Sequence, residues 1–360
     1  MSKTKLFSFL ILILVIIAGA FYFLGSKSEK SNTKPTQKLY VYNWTEYITS
    51  DLLRKFTKET GIEVVYTTYE SNEEMYAKLK LSTNSNQPYD IVVPSNHYVA
   101  RLIAEKLVQP LDLTRLQVQN VVPETLNLEF DPGNKYSIPY TYGFTTIAIA
   151  KSYAPNLELK SWADLWKPEY KDLVLLNDER DVFSMALKSL GLNPNATNED
   201  EIKLAYQKLQ SLVKKVKTYN SDAPEVPYVN REVETGMIWS GSAFRGSVDY
   251  DDIDVVWPEE GPIEFIDSFM IPVNAKNVDA AYTFINFLLQ PENAVEVLKN
   301  LGFLPANNLI KPLLPESWQQ SHILFPPKWV FERATFNRDL GDKAIEIYNK
   351  YWNLLRVSGE

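Results

Sequence analysis

The chain has 360 residues, enough for about two domains of ordinary size, with a formal net charge of −8 and no cysteine. The absence of cysteine excludes disulfides, thiolate nucleophiles and Cys-based zinc sites, and the acidic balance argues against nucleic acid as a partner, because phosphate binding needs a basic surface. The two histidines, His97 and His322, leave little material for a His-centred triad or metal site, and no metal or cofactor is expected.

Residues 1–25 form a candidate leader. Lys3 and Lys5 precede an apolar run over 6–24, and Ala18-Gly19-Ala20 is a candidate cleavage motif, which is typical of a secretory signal peptide. The run is long for a signal peptide and close to the minimum for a spanning helix, so an uncleaved inner-membrane anchor is the alternative. Residues 26–37 are polar and are expected to form a flexible tether. In both cases the body of the protein is expected in the periplasm.

Strands and helices alternate over the first stretch after the tether. The pattern predicts strands at 38–42, 63–68 and 91–93, and helices at 51–59, 71–81 and 96–106. Ser50 is predicted as the N-cap of the first helix, with Gly61 after its end. Such alternation favours a parallel sheet covered by helices.

The pattern changes over 136–150, an apolar and aromatic stretch without helical period, which we expect to be a strand crossing into a second unit. Further strands are predicted at 173–176, 216–219, 237–239 and 253–256, and helices at 182–190, 198–214, 228–234, 278–289, 291–301 and 343–355. The chain is expected to return to the first unit near 265 and to end on the second. This gives two lobes with a cleft between them: lobe 1 takes 38–143 and 263–308, and lobe 2 takes 144–262 and 309–360.

Aromatic residues and carboxylates recur together near strand ends. The run Trp44-Thr45-Glu46-Tyr47 follows the first predicted strand, and Phe265-Ile266-Asp267 repeats the pairing. In α/β sheets, ligands bind at the carboxyl ends of the strands. Because an aromatic face attracts a cation and a carboxylate neutralises it, the pattern predicts a site for an organic cation.

Several short motifs stand in a fixed order along the chain. They include Tyr42-Asn-Trp-Thr-Glu-Tyr47, Asp90-Ile-Val-Val-Pro-Ser95, Ser161-Trp-Ala-Asp-Leu-Trp-Lys-Pro-Glu-Tyr170, Gly236-Met-Ile-Trp239 and Asp254-Val-Val-Trp-Pro258. In this order and spacing the chain resembles the spermidine/putrescine-binding proteins of bacterial ABC importers, from Lys38 to the C-terminus. The resemblance implies a two-lobed, type II periplasmic binding protein in which each lobe is a helix-covered mixed β-sheet. It also implies a monomer without enzymatic activity that captures spermidine or putrescine and delivers it to an ABC permease in the inner membrane.

The resemblance further implies a set of ligand-binding positions. They are Trp44, Thr45, Glu46, Tyr47, Ser95, His97, Asp178, Asp181, Trp239, Phe265, Asp267, Phe303 and Asn337. Four of them depart from the family pattern: tyrosine is replaced by His97 and by Phe303, tryptophan by Phe265, and glutamine by Asn337. These changes bear on which polyamine is preferred. If His97 is protonated near pH 6, it is expected to repel the ligand.

Two other functions fit the same residues. A secreted hydrolase could use Asp181 and Asp267 as acid and base, although several acids facing rings suit a cation better. A polyamine-sensing module that keeps its N-terminal anchor is the other alternative. Taken alone, the acids at 178–181 could simply lie at a helix N-terminus, where negative charge interacts favourably with the helix dipole. Trp239, taken alone, could be a core residue.

Overall fold

The computed structural model describes residues 37–45, 47–82, 88–154, 157–250 and 252–358. The predicted leader and the tether up to Thr36 lie outside these residues. Within the described ranges, no helix has the length and apolar character needed to cross a membrane.

The described residues alternate between strands and helices, as the sequence predicts. The strands are β1 (Gln37–Trp44), β2 (Ile62–Tyr69), β3 (Ile91–Val92), β4 (Ser137–Ala150), β5 (Leu173–Leu175), β6 (Val216–Tyr219), β7 (Thr235–Trp239), β8 (Ile253–Val256), β9 (Ile263–Met270), β10 (Leu304–Pro305) and β11 (Thr335–Phe336). The α-helices are α1 (Ser50–Thr60), α2 (Asn72–Ser82), α3 (Asn96–Ala104), α4 (Glu179–Ser189), α5 (Glu199–Leu212), α6 (Val226–Val229), α7 (Ser240–Tyr250), α8 (Val278–Leu288), α9 (Pro291–Leu301), α10 (Glu316–Gln319), α11 (Lys328–Arg333) and α12 (Asp342–Ser358). Short 3₁₀ helices lie at Leu113–Arg115, Val118–Asn120, Pro123–Thr125, Pro132–Asn134, Trp162–Trp166, Val213–Lys215 and Lys311–Leu313.

The strands form one continuous sheet. Its order is β2-β1-β3-β9-β4-β7-β5-β6, with β8 and β10 also paired to β4 and β11 to β9. The pairs at the two ends, within β2-β1-β3 and within β7-β5-β6, are parallel. In the middle, β4 and β9 are antiparallel to each other, β4 is antiparallel to β7, and β9 is antiparallel to β3. The sheet is therefore mixed, and the purely parallel sheet expected from the first elements describes only its ends.

Strand β4 joins the two halves of the sheet. It pairs with β9 over Ser137–Thr145 and with β7 over Thr145–Ile149. Beside it, β11 pairs with β9 at Ile263 and Glu264. Three strands thus lie side by side where the sheet passes from one parallel end to the other, at the position where the sequence predicts a crossing strand.

Helix starts differ from the predictions where a neighbouring side chain is the better cap. Thr49, not Ser50, caps α1, because its side chain accepts a hydrogen bond from the backbone N–H of Leu52. Helix α4 begins at Glu179, three residues before its predicted start at 182, because the Asp178 side chain accepts from the backbone N–H of Asp181.

The sequence patterns misplace one helix and miss another. The helix predicted at 228–234 lies instead at Val226–Val229, as α6, and α7 is not predicted at all. The glycines and serines of α7 have low helix propensity, but Phe244 and its neighbours are buried. Burial of this face against the sheet therefore outweighs local preference.

The last helix, α12, packs on α4 and α5. Its Tyr348, Tyr351 and Leu355 belong to one buried cluster with residues of both helices. Trp162 is fully buried in the same cluster and donates its indole N–H to the carbonyl of Gly261 at 3.0 Å. This tryptophan therefore has a packing role.

Candidate functional site

Asp267, on β9, is a buried carboxylate surrounded by hydroxyl donors. Its Oδ1 accepts from Ser95 Oγ at 2.7 Å, and its Oδ2 accepts from the Tyr47 hydroxyl at 2.6 Å and from Thr141 Oγ1 at 3.5 Å. Burial raises the pKa of Asp267 to about 6, although these three hydrogen bonds favour the ionised form. Among the described residues, no basic side chain neutralises this carboxylate.

The Pro94–Ser95 turn holds one side of this carboxylate. The Ser268 N–H donates to the carbonyl of Pro94 at 3.0 Å, which ties the turn to β9. Asn72 accepts from the Ser95 N–H and donates to Ser95 Oγ, both at 3.2 Å. Ser95 precedes α3 without capping it, because its hydroxyl donates to Asp267 instead. The side chain is thus oriented for the carboxylate rather than for its own helix.

Aromatic rings from the first-strand motif lie beside Asp267. The ring of Trp44 is 6.1 Å from that of Tyr47 and 4.7 Å from that of Tyr69, and Tyr47 is 6.2 Å from Tyr140. Trp44 and Tyr47 are half-buried, and the Trp44 indole N–H is buried without a hydrogen-bond partner among the described residues. These two residues therefore form an aromatic wall beside Asp267, to which the Tyr47 hydroxyl is bonded.

The other two residues of that motif differ in their positions. Thr45 is exposed, and its hydroxyl donates to the carbonyl of Tyr69 at 3.3 Å. Glu46 lies outside the described residues.

A second carboxylate, Asp181, lies in the first turn of α4. Its Oδ1 accepts from Asn337 Nδ2 at 2.8 Å, and its Oδ2 accepts from the Thr145 hydroxyl. Both polar atoms of the Asn337 side chain are engaged, since its Oδ1 accepts from Ser184 Oγ at 2.7 Å. Burial, followed by the charge of Asp178, raises the pKa of Asp181 to about 7, while groups on Thr145, Trp239 and Asn337 oppose the shift. Trp239 therefore faces the site rather than the core alone.

The acids around Asp181 form a group at the start of α4. Burial raises the pKa of Asp178 and, together with the charge of Asp178, raises the pKa of Glu179 to about 7. Arg180 lies among them, but its guanidinium donates to Asn195 Oδ1 at 3.1 Å and lies 4.8 Å from the ring of Tyr348. Asp178 is thus both a helix N-cap, as the alternative interpretation holds, and part of an acidic site.

Phe265 and Phe303 meet edge to face, with ring centroids 5.4 Å apart. Two glycines make room for them: a Cβ at Gly143 would lie 2.7 Å from the Phe265 ring, and a Cβ at Gly241 would lie 2.2 Å from the Phe303 ring. Neither glycine is among the residues predicted from the sequence. Both phenylalanines therefore form one apolar wall that depends on small neighbours.

The position of His97 contradicts the expectation that this residue is protonated near pH 6. Burial, and secondly the charge of Arg180, lowers the pKa of His97 to about 3. Its ring lies 5.0 Å from that of Tyr98 at the start of α3. The imidazole is therefore neutral at pH 6, and the prediction that its protonation near that pH repels a cationic ligand is wrong.

Strand β4 sets the spacing between the two carboxylates. Thr141 bonds to Asp267 and Thr145 bonds to Asp181, and these threonines lie four residues apart on one face of the strand. At about 3.3 Å per residue, the two hydroxyls are separated by about 13 Å along β4. Neither threonine was predicted from the sequence as a site residue. Thr141, Gly143 and Thr145 are nevertheless alternate residues of a predicted strand, and this spacing indicates a strand face lined by small and polar groups.

Residues 51–326 match the family described as bacterial extracellular solute-binding protein. The chain is 44% identical over 345 residues to the spermidine/putrescine-binding periplasmic protein of Salmonella typhimurium, covering 95% of this chain and 97% of that protein. It is 30% identical to a putrescine-binding periplasmic protein of Escherichia coli, covering 95% and 96% of the two chains. The solved structure of a spermidine/putrescine ABC transporter substrate-binding protein from Streptococcus pneumoniae matches with a TM-score of 0.79 at 33% identity, covering 90% of this chain and 100% of that chain.

These matches confirm the resemblance and the two-lobed α/β fold class. The family is one of solute-binding proteins and not of enzymes. The chain belongs to the bacterial extracellular solute-binding proteins, in the group of the spermidine/putrescine-binding periplasmic proteins.

Proposed function

We propose that the protein is the substrate-binding component of an ABC importer, which captures a linear polyamine in the periplasm and delivers it to a permease in the inner membrane. One observation carries the proposal: two buried carboxylates, Asp267 and Asp181, are held by neutral donors at separate points along one face of β4. The names of the relatives, which refer to spermidine and putrescine, support the ligand class. The protein is expected to act as a monomer and without chemistry.

The carboxylates are suited to ammonium groups. A charge that is buried without a partner costs several kcal/mol, and this cost is reflected in the raised pKa of each empty carboxylate. An ammonium group brought into contact supplies the missing counter-charge. Two such sites along one strand then select a ligand with two cationic ends.

The walls between the carboxylates suit methylene spacers. Trp44, Tyr47, Trp239, Phe265 and Phe303 present rings rather than charged groups. An alkyl chain packs against such faces, and each nearby ammonium gains about 0.5–2 kcal/mol from a cation–π contact. We assign ligand contact to these rings and to Thr45, Glu46, Ser95, His97, Asp178 and Asn337, as the resemblance implies.

A panel of amines tests the ligand class. In calorimetric titrations, putrescine and spermidine are expected to bind at one saturable cleft site, and n-butylamine at least about tenfold more weakly, because it has one ammonium for two carboxylates. The panel also ranks the polyamines, which Phe265, Phe303, His97 and Asn337 are expected to influence. Equal affinity for putrescine and n-butylamine, or any turnover of the amine, contradicts the proposal.

The pH dependence of binding follows from the two raised carboxyl pKa values. Because the ligand binds the ionised forms, affinity is expected to fall as the pH decreases through about 7 for Asp181 and about 6 for Asp267. His97 contributes nothing in this range, since its pKa is about 3. Titrations at pH 8, 7 and 6 measure the effect. A His97→Tyr variant with an unchanged pH profile fits this assignment, whereas a flattened profile contradicts it.

Closure of the two lobes around the ligand is the expected conformational step. With the lobe boundaries predicted above, Asn96 Nδ2 of lobe 1 donates to the carbonyl of Asn337 of lobe 2 at 2.6 Å. Arg338 of lobe 2 bonds to both carboxylate oxygens of Glu129 of lobe 1, at 2.6 and 2.7 Å. Contacts of this kind between the predicted lobes support closure as the ligand-bound arrangement.

Small-angle scattering measures this closure. The radius of gyration is expected to decrease when saturating putrescine is added, because contacts between the lobes replace solvent. Asp267→Asn protein at the same ligand concentration is the control and is expected to stay open. An unchanged radius in the wild-type protein would show that binding does not close the lobes.

The alternative function, a polyamine-sensing module, differs from the proposed one in keeping an N-terminal membrane anchor. N-terminal sequencing of the exported protein distinguishes a processed leader, expected for a released binding protein, from a retained anchor.

A further inference from the structure

The face of the crossing strands that points away from the cleft carries a second combination of rings and a carboxyl group. Successive residues of a strand point to opposite faces of a sheet, so Glu264 lies opposite to Phe265 and Asp267 on β9. Glu264 pairs with Phe144 of β4 on one side and with Phe336 of β11 on the other. We call Tyr142, Phe144, Glu264, Phe331 and Phe336 the back-face cluster.

Glu264 is a largely buried residue whose carboxyl oxygens reach the protein surface. Only 8% of the residue is exposed, and among the described residues no side chain or backbone N–H donates to the carboxyl group. Burial alone raises its pKa to about 8, without any opposing contribution from a basic side chain or a hydrogen bond. Asp267 differs, because it is still more deeply buried but accepts bonds from three hydroxyl groups. A largely buried acid that reaches the surface and has no donor among the described residues leaves room for a ligand to provide one.

Aromatic residues flank Glu264 on the same face of the sheet. Phe331, on α11, lies 5.2 Å from Phe144 and 6.5 Å from Tyr142, measured between ring centroids. Burial, and after it the charge of Glu264, raises the pKa of Tyr142, which lies on the same face of β4 as Phe144. Phe331 and Phe336 are half-buried, so the cluster reaches the protein surface.

We propose that the back-face cluster binds a second organic cation, a protonated primary amine, at a site separate from the cleft. The carboxylate supplies the counter-charge, and the ring faces of Tyr142, Phe144, Phe331 and Phe336 contact the alkyl part and the ammonium group. A hydrated divalent metal ion fits poorly, since it requires several oxygen ligands and the rings offer none. An anion is repelled by Glu264 and by the exposed Glu124, whose charge also acts on Tyr142.

Binding at this site is linked to a proton. With a pKa of about 8, Glu264 is mostly protonated at pH 7 in the absence of a ligand, and its charge acts on the pKa of Tyr142, on which Glu124 acts as well. Tyr142 remains protonated throughout, because its own pKa is raised. An ammonium group favours the ionised form of Glu264, so binding at pH 7 releases a proton.

The test uses n-butylamine, whose single ammonium suits one carboxylate. Because n-butylamine also reaches the cleft of the wild type, equilibrium dialysis uses the whole protein carrying Asp267→Asn, which weakens binding in the cleft. One weak site is expected in this protein, and adding Glu264→Gln is expected to weaken it by about tenfold or more. Glu264→Gln keeps the shape of the side chain and is expected to bind putrescine in the cleft like the wild type. Glu346→Gln, on the exposed face of α12, is the matched control and is expected to change neither site.

The same variants show whether the proposal fails. It is overturned if the Asp267→Asn protein does not bind n-butylamine, since the amine bound by the wild type would then occupy the cleft, or if the binding survives the added Glu264→Gln. If Glu264→Gln alone loses putrescine, Phe331→Leu is used instead, because it removes only a half-buried ring. Phe331→Leu must keep putrescine binding, and must weaken n-butylamine binding several-fold when it is added to Asp267→Asn. Calorimetry at pH 7 in two buffers of different ionisation enthalpy gives a second readout: n-butylamine binding to the Asp267→Asn protein is expected to release protons, and adding Glu264→Gln is expected to reduce that release.

Discussion

Asp267→Asn is expected to weaken polyamine binding by about 2–5 kcal/mol, which is a loss of about 30-fold to several thousand-fold in affinity. The substitution keeps the shape of the side chain but removes the charge that would face a desolvated ammonium group. In the wild type, the hydroxyl groups of Ser95, Tyr47 and Thr141 donate to the Asp267 carboxylate. The asparagine amide would place an N–H₂ donor among these three donors, so it cannot accept all of their hydrogen bonds. Calorimetric titration with putrescine and spermidine measures the loss.

Asp181→Asn is expected to have an effect in the same range at the other end of the ligand. Asp279→Asn is the matched control for both variants, because Asp279 is an exposed carboxylate on α8 paired with Arg115 at 2.7 Å. The control should bind within about twofold of the wild type. If both Asp267→Asn and Asp181→Asn bound polyamines within a few-fold of the wild type, the site assignment would be wrong.

Gly236→Ala is expected to destabilise the protein by about 3 kcal/mol or more. Gly236 has a φ of +147°, and a Cβ there would lie 2.0 Å from the carbonyl oxygen of Val174 and 2.7 Å from its nitrogen. These are backbone atoms of the neighbouring strand β5, so they cannot move without breaking the β5–β7 pairing. Thermal unfolding of the unliganded protein measures the loss.

Gly191→Ala is the matched control for this substitution. Gly191 also has a positive φ, of +69°, but a Cβ there would meet nothing within 4 Å. Its expected cost is only about 1 kcal/mol, from backbone conformation alone. Equal losses for the two variants would show that the contact between β7 and β5 does not require glycine. Because Trp239 lies on the same strand, Gly236→Ala is also expected to weaken binding in whatever fraction remains folded.

Local patterns in the sequence were sufficient for most elements and for the class of ligand. Short apolar runs locate β1 and β2, and an apolar and aromatic stretch without helical period locates β4, because strands with buried faces are rich in such residues. The joint occurrence of rings and acids after strands indicates an organic cation without any knowledge of their distances. Helix α7 was beyond such patterns, since its formation depends on burial and not on propensity.

Tertiary structure alone decided how the acids are held. Thr141 and Thr145 are ordinary strand residues in the sequence, and only the pairing of β4 with β9 and the approach of α4 place their hydroxyls against Asp267 and Asp181. The protonation states depend on burial, which a sequence does not specify. For that reason His97 is neutral although its sequence position suggested a pH response, and Glu264 is an acid with no donor among the described residues although nothing in its local sequence distinguishes it. Residue type and order thus determined the chemistry available to this protein, whereas the packing of distant strands and helices determined which groups meet and which carry charge.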